Sequence, residues 1–290
     1  MNVSRYEVFL KILETGGLTA AAEQFGCTQA NVSHIVGGME QEFGFKLLNR
    51  GRGGVRLTAE GEALLPYISA VAQAQASLKE KAAEIASRSG VTIRIGAFSS
   101  VSVHWLPGII KSYQEKEPGI AFKLLSGDYH DVDMWLESGS VDVAFITLPT
   151  AVSCRSIPLK EDRLMAVLPL NHRLAGGQSV ELAQTAQEDF ITLLETSDQD
   201  SRRVLEAAGI KPRVRFTTKD DYAIIAMVAG GLGISVMPEL LLKNAADNVK
   251  ILPLNPPASR TIALAIPEVN AESPAVTAFA AFVKRYVQEL

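Results

Sequence analysis

Two short amphipathic segments stand almost end to end between residues 17 and 56, a spacing that fits a helix-turn-helix. Thr19 can cap an Ala-rich helix, Gly26 supplies the tight turn that ends it, and Thr28 can cap a second helix directly after. In that second helix Val32, Ile35, Val36, Met39 and Phe43 recur at three- and four-residue steps, so they form one apolar face that must pack inward. Gln29, Ala30, Ser33, His34 and Gly37 occupy the opposite face. Apart from the histidine these are small or amide side chains, able to reach base edges without first shedding a charge. The run Arg50-Gly51-Arg52-Gly53-Gly54-Val55-Arg56 follows, with the composition of a basic wing beside a recognition helix.

Charge limits what such a unit can do. The chain carries a net charge of −4, which argues against indiscriminate coating of nucleic acid, because non-specific binding is mostly Lys and Arg neutralising phosphates. Within residues 1–60, Arg5, Lys11, Lys46, Arg50, Arg52 and Arg56 are offset by Glu7, Glu14, Glu23, Glu40, Glu42 and Glu60, so the segment sums to zero. Half of those basic residues fall in the wing. The balance predicts selective binding at modest affinity per subunit, and therefore a dimer or larger assembly.

Around this stretch the chain is organised in order. Ser4 and Glu7 fit a capping box ahead of a supporting helix. Thr58 can cap a long helix over residues 59–87, where Leu64, Ile68, Val71, Ala72, Gln75, Leu78, Ala82 and Ile85 make a seam close to heptad spacing. One helix cannot bury such a seam, so a dimerising linker in antiparallel or crossed pairing is expected, with Pro66 placed to kink it. Ser89-Gly90 marks the domain boundary. Beyond it, strands at 91–97, 120–125, 141–146, 164–168, 190–194, 213–217, 233–237 and 261–266 alternate with helices at 103–116, 129–138, 199–208, 220–229 and 274–288. That order reads as α/β with mainly parallel sheets in two halves, joined by crossings near 148–153 and 266–268 that would act as a hinge. The expected domains are 1–58, 59–89 and 90–290, the last divided into a subdomain I of about 90–150 plus 268–290 and a subdomain II of about 151–267.

In open α/β sheets ligands bind beyond the carboxyl ends of the strands, where helix N-termini present unpaired N–H groups. Those ends carry Ser99, Ser100 and Ser102, then Gly127 and Asp128, then Thr147, then Thr196 and Ser197. Each hydroxyl alone could be a helix cap. Together, on both sides of a hinge, they point to a small polar or anionic effector. Asp128 and Glu195 leave a second option open, since a carboxylate aimed into the cleft would repel an anion and favour an amine-bearing or neutral ligand. Trp105 and Trp135 read as core or interface residues. His34, His104, His130 and His172 have no metal-ligand spacing, and no catalytic nucleophile motif or phosphate-binding loop is present. Gly230-Gly231-Leu232-Gly233 reads as a helix stop. No metal site, cofactor or enzymatic activity is expected.

Several marks together resemble the LysR-type transcriptional regulators: Gly17-Leu18-Thr19-Ala20-Ala21-Ala22, Thr28-Gln29-Ala30-Asn31-Val32-Ser33, Leu47-Leu48-Asn49-Arg50, Leu57-Thr58-Ala59-Glu60-Gly61, Leu106-Pro107, Glu117-Pro118, Gly139-Ser140-Val141-Asp142 and the 228–238 segment ending in Pro238. The resemblance spans essentially the whole chain. It implies an all-α N-terminal winged helix-turn-helix with a long linker helix, then two Rossmann-like subdomains of the periplasmic-binding-protein type closing on an inducer. By position it implies DNA contacts from Thr28, Gln29, Ala30, Asn31, Ser33, His34, Arg50, Arg52 and Arg56, and inducer contacts near the serines and threonines above. The implied partners are double-stranded operator or promoter DNA, the effector, the chain's own copies as a homodimer or homotetramer, and the transcription machinery. Where relatives carry basic or polar residues after the serine, this chain has His34-Ile35-Val36-Gly37-Gly38-Met39, which predicts a weaker and less salt-sensitive operator interaction.

Other readings fit less well. A solute-binding protein of the periplasmic type shares the two-lobed half but not residues 1–60. The N-terminus lacks signal-peptide features and no apolar run reaches spanning length, so a cytoplasmic protein without a membrane partner is expected. A thiol redox sensor would need Cys27 and Cys154 to meet, yet they fall in different expected domains.

Overall fold

The computed structural model describes residues 4–51, 54–87, 91–194, 200–243, 245 and 247–290, with the side chains of 50, 77, 80, 81 and 83–87 excepted. The chain divides into two compact units, Met1–Ser87 and Arg88–Leu290.

The first unit contains α1 (Arg5–Thr15), α2 (Leu18–Gln24), α3 (Gln29–Phe43), β1 (Leu48–Gly51), β2 (Gly54–Leu57) and α4 (Ala59–Ser87). Ser4 and Glu7 form the capping box of α1. Thr28 caps α3 by accepting the Asn31 N–H at 3.3 Å, and Gly26 turns the chain at φ 61°. Thr19 does not cap α2: the helix begins a residue earlier, with the extended Gly17 as its uncapped start. The preceding Gly16 already supplies the turn in left-handed conformation, which leaves Thr19 inside the first helical turn. Val32, Val36 and Met39 bury the inner face of α3 against Val8, Phe9, Ile12, Ala21 and Ala22, with Ile35, Phe43 and Cys27 packed around them. Strands β1 and β2 pair antiparallel as the wing, with Leu48 opposite Leu57 and Asn49 opposite Arg56. Thr58 then caps α4, accepting the Gly61 N–H at 2.9 Å. Ile68 and Ala72 are buried within this unit, whereas Tyr67 and Leu78 are 70% exposed and Val71 46%. The helix runs through Pro66.

In the second unit the chain order is β3 (Thr92–Phe98), α5 (Ser99–His104), α6 (Leu106–Gln114), β4 (Ala121–Gly127), α7 (Tyr129–Glu137), β5 (Val143–Leu148), β6 (Arg155–Leu168), β7 (Val180–Glu181), β8 (Asp189–Leu193), α8 (Asp200–Ala207), β9 (Arg213–Thr218), α9 (Asp221–Ala229), β10 (Ser235–Pro238), β11 (Lys250–Ile266) and α10 (Pro274–Gln288). The helix expected over 103–116 is two helices, α5 and α6. Trp105 stands at their junction, buried against Phe145, and Pro107 starts the second.

The main sheet runs β10-β6-β11-β5-β3-β4 and is mixed, not mainly parallel. Pairs β3/β4, β3/β5 and the separate β8/β9 are parallel, but β5/β11, β11/β6 and β6/β10 are antiparallel. The difference has one cause. Strands β6 and β11 are 14 and 17 residues long and pair with each other along most of their length. These two strands, not the expected short segments at 148–153 and 266–268, carry the chain between the halves. One end of the pair lies with a core of Ile93, Ile95, Trp105, Phe145, Leu264 and, from α10, Phe279 and Val283. Its other end lies with cores built on Leu164, Phe190, Val236 and Leu252, and on Val167, Ile191, Ile224 and Leu241.

Candidate functional site

On the first unit, the inward face of α3 fixes what faces out. Thr28, Gln29, Ala30, Asn31 and His34 are exposed, and Ser33 is half-buried. No Lys, Arg, Asp or Glu interrupts that face. Most of the unit's described cations are spent on neighbours: Arg5 pairs with Glu42, Lys11 with Glu14 at 2.5 Å, Lys46 with Glu40 at 2.6 Å and Lys79 with Glu7 at 3.2 Å. Among the described side chains of this unit, Arg56 stands out as a cation without a carboxylate at ion-pair distance. Arg52 and the Arg50 side chain lie outside the described residues.

Glu40 ties the recognition helix to the wing, a role its sequence context does not reveal. Its Oε1 accepts the backbone N–H groups of Leu47 at 3.0 Å and Leu48 at 3.3 Å, while Oε2 holds Lys46. Burial pushes its carboxyl upward, but Lys46 and the two N–H groups outweigh that, leaving it below its ordinary range.

On the second unit, a cavity of about 330 Å³ opens at the carboxyl ends of β3, β4 and β8. The first residues of α5, α7, α8 and α9 line it, an arrangement that follows from parallel strands each feeding a helix. Phe98, Leu193, Ile224, Met237, Pro238 and Leu241 form an apolar wall.

At its floor sits Arg260 of β11, 2% exposed. Its Nε and Nη2 donate to Asp162 Oδ2 at 2.9 and 2.7 Å, and Nη2 also donates to Ser100 Oγ at 2.8 Å. Nη1 donates to the Tyr129 hydroxyl, which in turn donates to Asp200 Oδ2 at 2.6 Å, and Nη1 lies 3.6 Å from the same Asp200 oxygen. The guanidinium also faces the Phe98 ring, 4.9 Å from its centroid. Burial works against the charge on Arg260, but Tyr129, Asp162 and Asp200 outweigh it and hold the proton more tightly than usual. Burial likewise raises the Tyr129 phenol well above its ordinary value, with Asp200 adding to the rise and Arg260 opposing it. Asp221 is raised by burial too, opposed by a hydrogen bond from Ser99 and by the charge of Arg260.

The expected effector residues do not all meet. Ser99, Ser100, Gly127 and Asp128 line the cavity. Asp128 caps α7, accepting the Asp131 N–H at 2.9 Å, and Gly127 has no room for a side chain because an added Cβ would lie 2.6 Å from Asp131 Oδ2. Ser102 instead donates to Ala97 O at 3.3 Å and accepts from Ser126. Thr147 lines a smaller cavity of about 170 Å³ that shares Tyr129 with the first. Thr196, Ser197 and Glu195 lie outside the described residues. Sequence reading missed Arg260, Tyr129, Asp162, Asp200 and Asp221: Asp200 and Asp221 are signalled only as acids at a helix start, and nothing local marks the other three.

Cys27 and Cys154 are free, half-buried and in separate units. The Cys154 thiol is pushed up by burial, with Asp133 and Glu268 adding to it, which suppresses the reactive thiolate. Among the described residues no His, Cys, Asp or Glu cluster could hold a metal, and no helix is long and apolar enough to cross a membrane.

Comparison with known proteins covers nearly the whole chain. Residues 3–62 match the model of the bacterial regulatory helix-turn-helix protein, lysR family, and residues 87–288 match the LysR substrate binding domain. An uncharacterized HTH-type transcriptional regulator of Bacillus subtilis, YvbU, is 29% identical, over 98% of both chains. The effector binding domain of QuiR, solved with shikimate, is 26% identical at a TM-score of 0.64, covering 69% of this chain and 99% of that one. Full-length CbnR, solved with its target DNA, shares the fold at a TM-score of 0.67 and 17% identity, over 99% of this chain and 100% of that one.

Proposed function

The chain belongs to the LysR family of bacterial transcriptional regulators, and on that premise we propose how its residues divide the work of a DNA-binding regulator with an effector-binding domain. Gln29, Ala30, Asn31, Ser33 and His34 read base edges in the major groove, with Thr28 at the helix start. Arg50, Arg52 and Arg56 hold the phosphate backbone or minor groove from the wing. The observation that carries this assignment is the uncharged, largely exposed outer face of α3 over residues 29–34, set against the buried Val32, Val36 and Met39.

Two copies of α4 pair through the exposed Tyr67, Val71 and Leu78, and pairs of dimers complete a homotetramer on promoter DNA, where the transcription machinery responds. A small effector enters the cleft at Arg260 and binds one arrangement of the two lobes better than the other. Promoter binding shifts by that difference in affinity. This is regulation in the bacterial cytoplasm, where the DNA is, and not catalysis. The raised Cys154 thiol speaks against a peroxide-sensing thiolate.

The test is sequence discrimination. An operator duplex selected from random DNA by the full chain should be retained in a gel shift. Gln29→Ala should erase about 1–3 kcal/mol of preference at the bases it reads while leaving binding to unrelated DNA unchanged. Equal retention of selected and scrambled duplexes by the parent would refute the reading.

A further inference from the structure

Among the described residues the cleft offers an anion little beyond the exposed Lys219, because its buried cation and most of its helix starts are already met by the chain's own groups. Helix N-termini normally attract anions. Here α7 starts with the reciprocal pair Asp128 and Asp131, α9 with Asp220 and Asp221, and α8 with Asp200. Of the hydroxyls that open α5, Ser100 accepts from Arg260 and so occupies one of the guanidinium donors. Arg260 has five N–H donors. One on Nε and two on Nη2 go to Asp162 and Ser100, one on Nη1 goes to Tyr129, and the remaining one faces Asp200.

Charge counting gives the same sign. The described lining holds five carboxylates, at Asp128, Asp131, Asp200, Asp220 and Asp221, against Arg260 and the exposed Lys219. Asp162 stands behind Arg260 and consumes its charge. Asp221 is the carboxylate left over: half-buried, lining the cavity, and, among the described residues, neither part of a helix cap nor at ion-pair distance from a Lys or Arg. Its upward-shifted carboxyl is what a buried anion short of a counter-charge shows. The same cavity is lined by the apolar side chains of Phe98, Leu193, Ile224 and Met237.

We propose that the cleft takes an organic cation, an amine or guanidine carried on an apolar body, with Asp221 as its counter-ion. The proposal rests on the cleft being the effector site. A metal ion is not the cation, because the described carboxylates do not cluster as ligands.

Matched probes on common skeletons test the sign of the charge in the full chain. Thermal shift is measured with 2-phenylethylamine against 3-phenylpropanoate, and with cyclohexylmethylamine against cyclohexylacetate, with shikimate as a further anion. The amines should raise the melting temperature and the carboxylates should not. Asp221→Asn should weaken amine binding about tenfold or more, the loss expected for a charge-assisted hydrogen bond. Carboxylates that stabilise the chain where the amines do not, equal shifts from both members of a pair, or no shift from any amine would each overturn the assignment. Ser126→Trp, at an exposed position on the cavity rim, separates the two levels. Amine binding that survives both variants would lie outside the cleft and remove the effector-site reading itself, whereas carboxylate binding lost in Ser126→Trp would leave that reading intact and reverse only the charge.

Discussion

At the scale of single residues, Arg260 and Glu40 do the most to fix their units. Removing Arg260 leaves Asp162 buried without its cation and Asp200 with Arg203 alone. Arg260→Met should therefore cost about 3–5 kcal/mol, seen as a lowered melting temperature, and a loss below about 1 kcal/mol would contradict the network. Glu40 carries a pH signature. Its folded-state carboxyl titrates below its unfolded value, so its stabilisation is fully present above the unfolded range at about pH 4.3 and is lost as pH falls through the lower, folded value. In Glu40→Gln the acid side of the stability curve should flatten while the neutral side drops. Neither role was legible in the sequence. Arg260 bonds to Asp162, 98 positions away, and to Ser100, 160 positions away, so nothing in the local pattern Ser259-Arg260-Thr261 marks it. Thr28, Ser4 and Thr58 were legible because a cap acts within three residues of itself.

Among the elements, α3 and α4 carry the testable content. Gly37 sits inside α3 with open space where a Cβ would stand, so Gly37→Ala should stabilise the first unit by roughly 0.5–1 kcal/mol without a clash. Lower stability would mean that the helix does not run through this position. The seam of α4 splits in two: Ile68 and Ala72 serve their own unit, while Tyr67, Val71 and Leu78 remain exposed for a partner. Leu78→Glu should shift the full chain toward monomer in sedimentation experiments and leave its helix content unchanged. The helices were readable from periodicity and caps. Strands β6 and β11 were only half readable, since β6 is mostly exposed in its first half and β11 carries Pro253, Pro256 and Pro257, so each looked like a loop leading into a short strand. That missed length is what made the sheet look parallel.

At the scale of the whole molecule, little charge is left for DNA, and binding in one unit has to reach the other. With Arg5, Lys11, Lys46 and Lys79 paired internally, phosphate contact falls to the wing, and the salt slope of operator binding should be shallow. Arg56→Ala should reduce it by about 1 per DNA-binding unit. Effector control is the central claim, and coupling between sites is reciprocal. The direct measurement is fluorescence anisotropy of a selected operator duplex titrated with the full chain, with and without a compound shown to bind the cleft. The operator Kd should change by about fivefold or more at saturation, and operator DNA should change the compound's affinity by the same factor. An operator Kd that stays the same at saturating compound would contradict effector control.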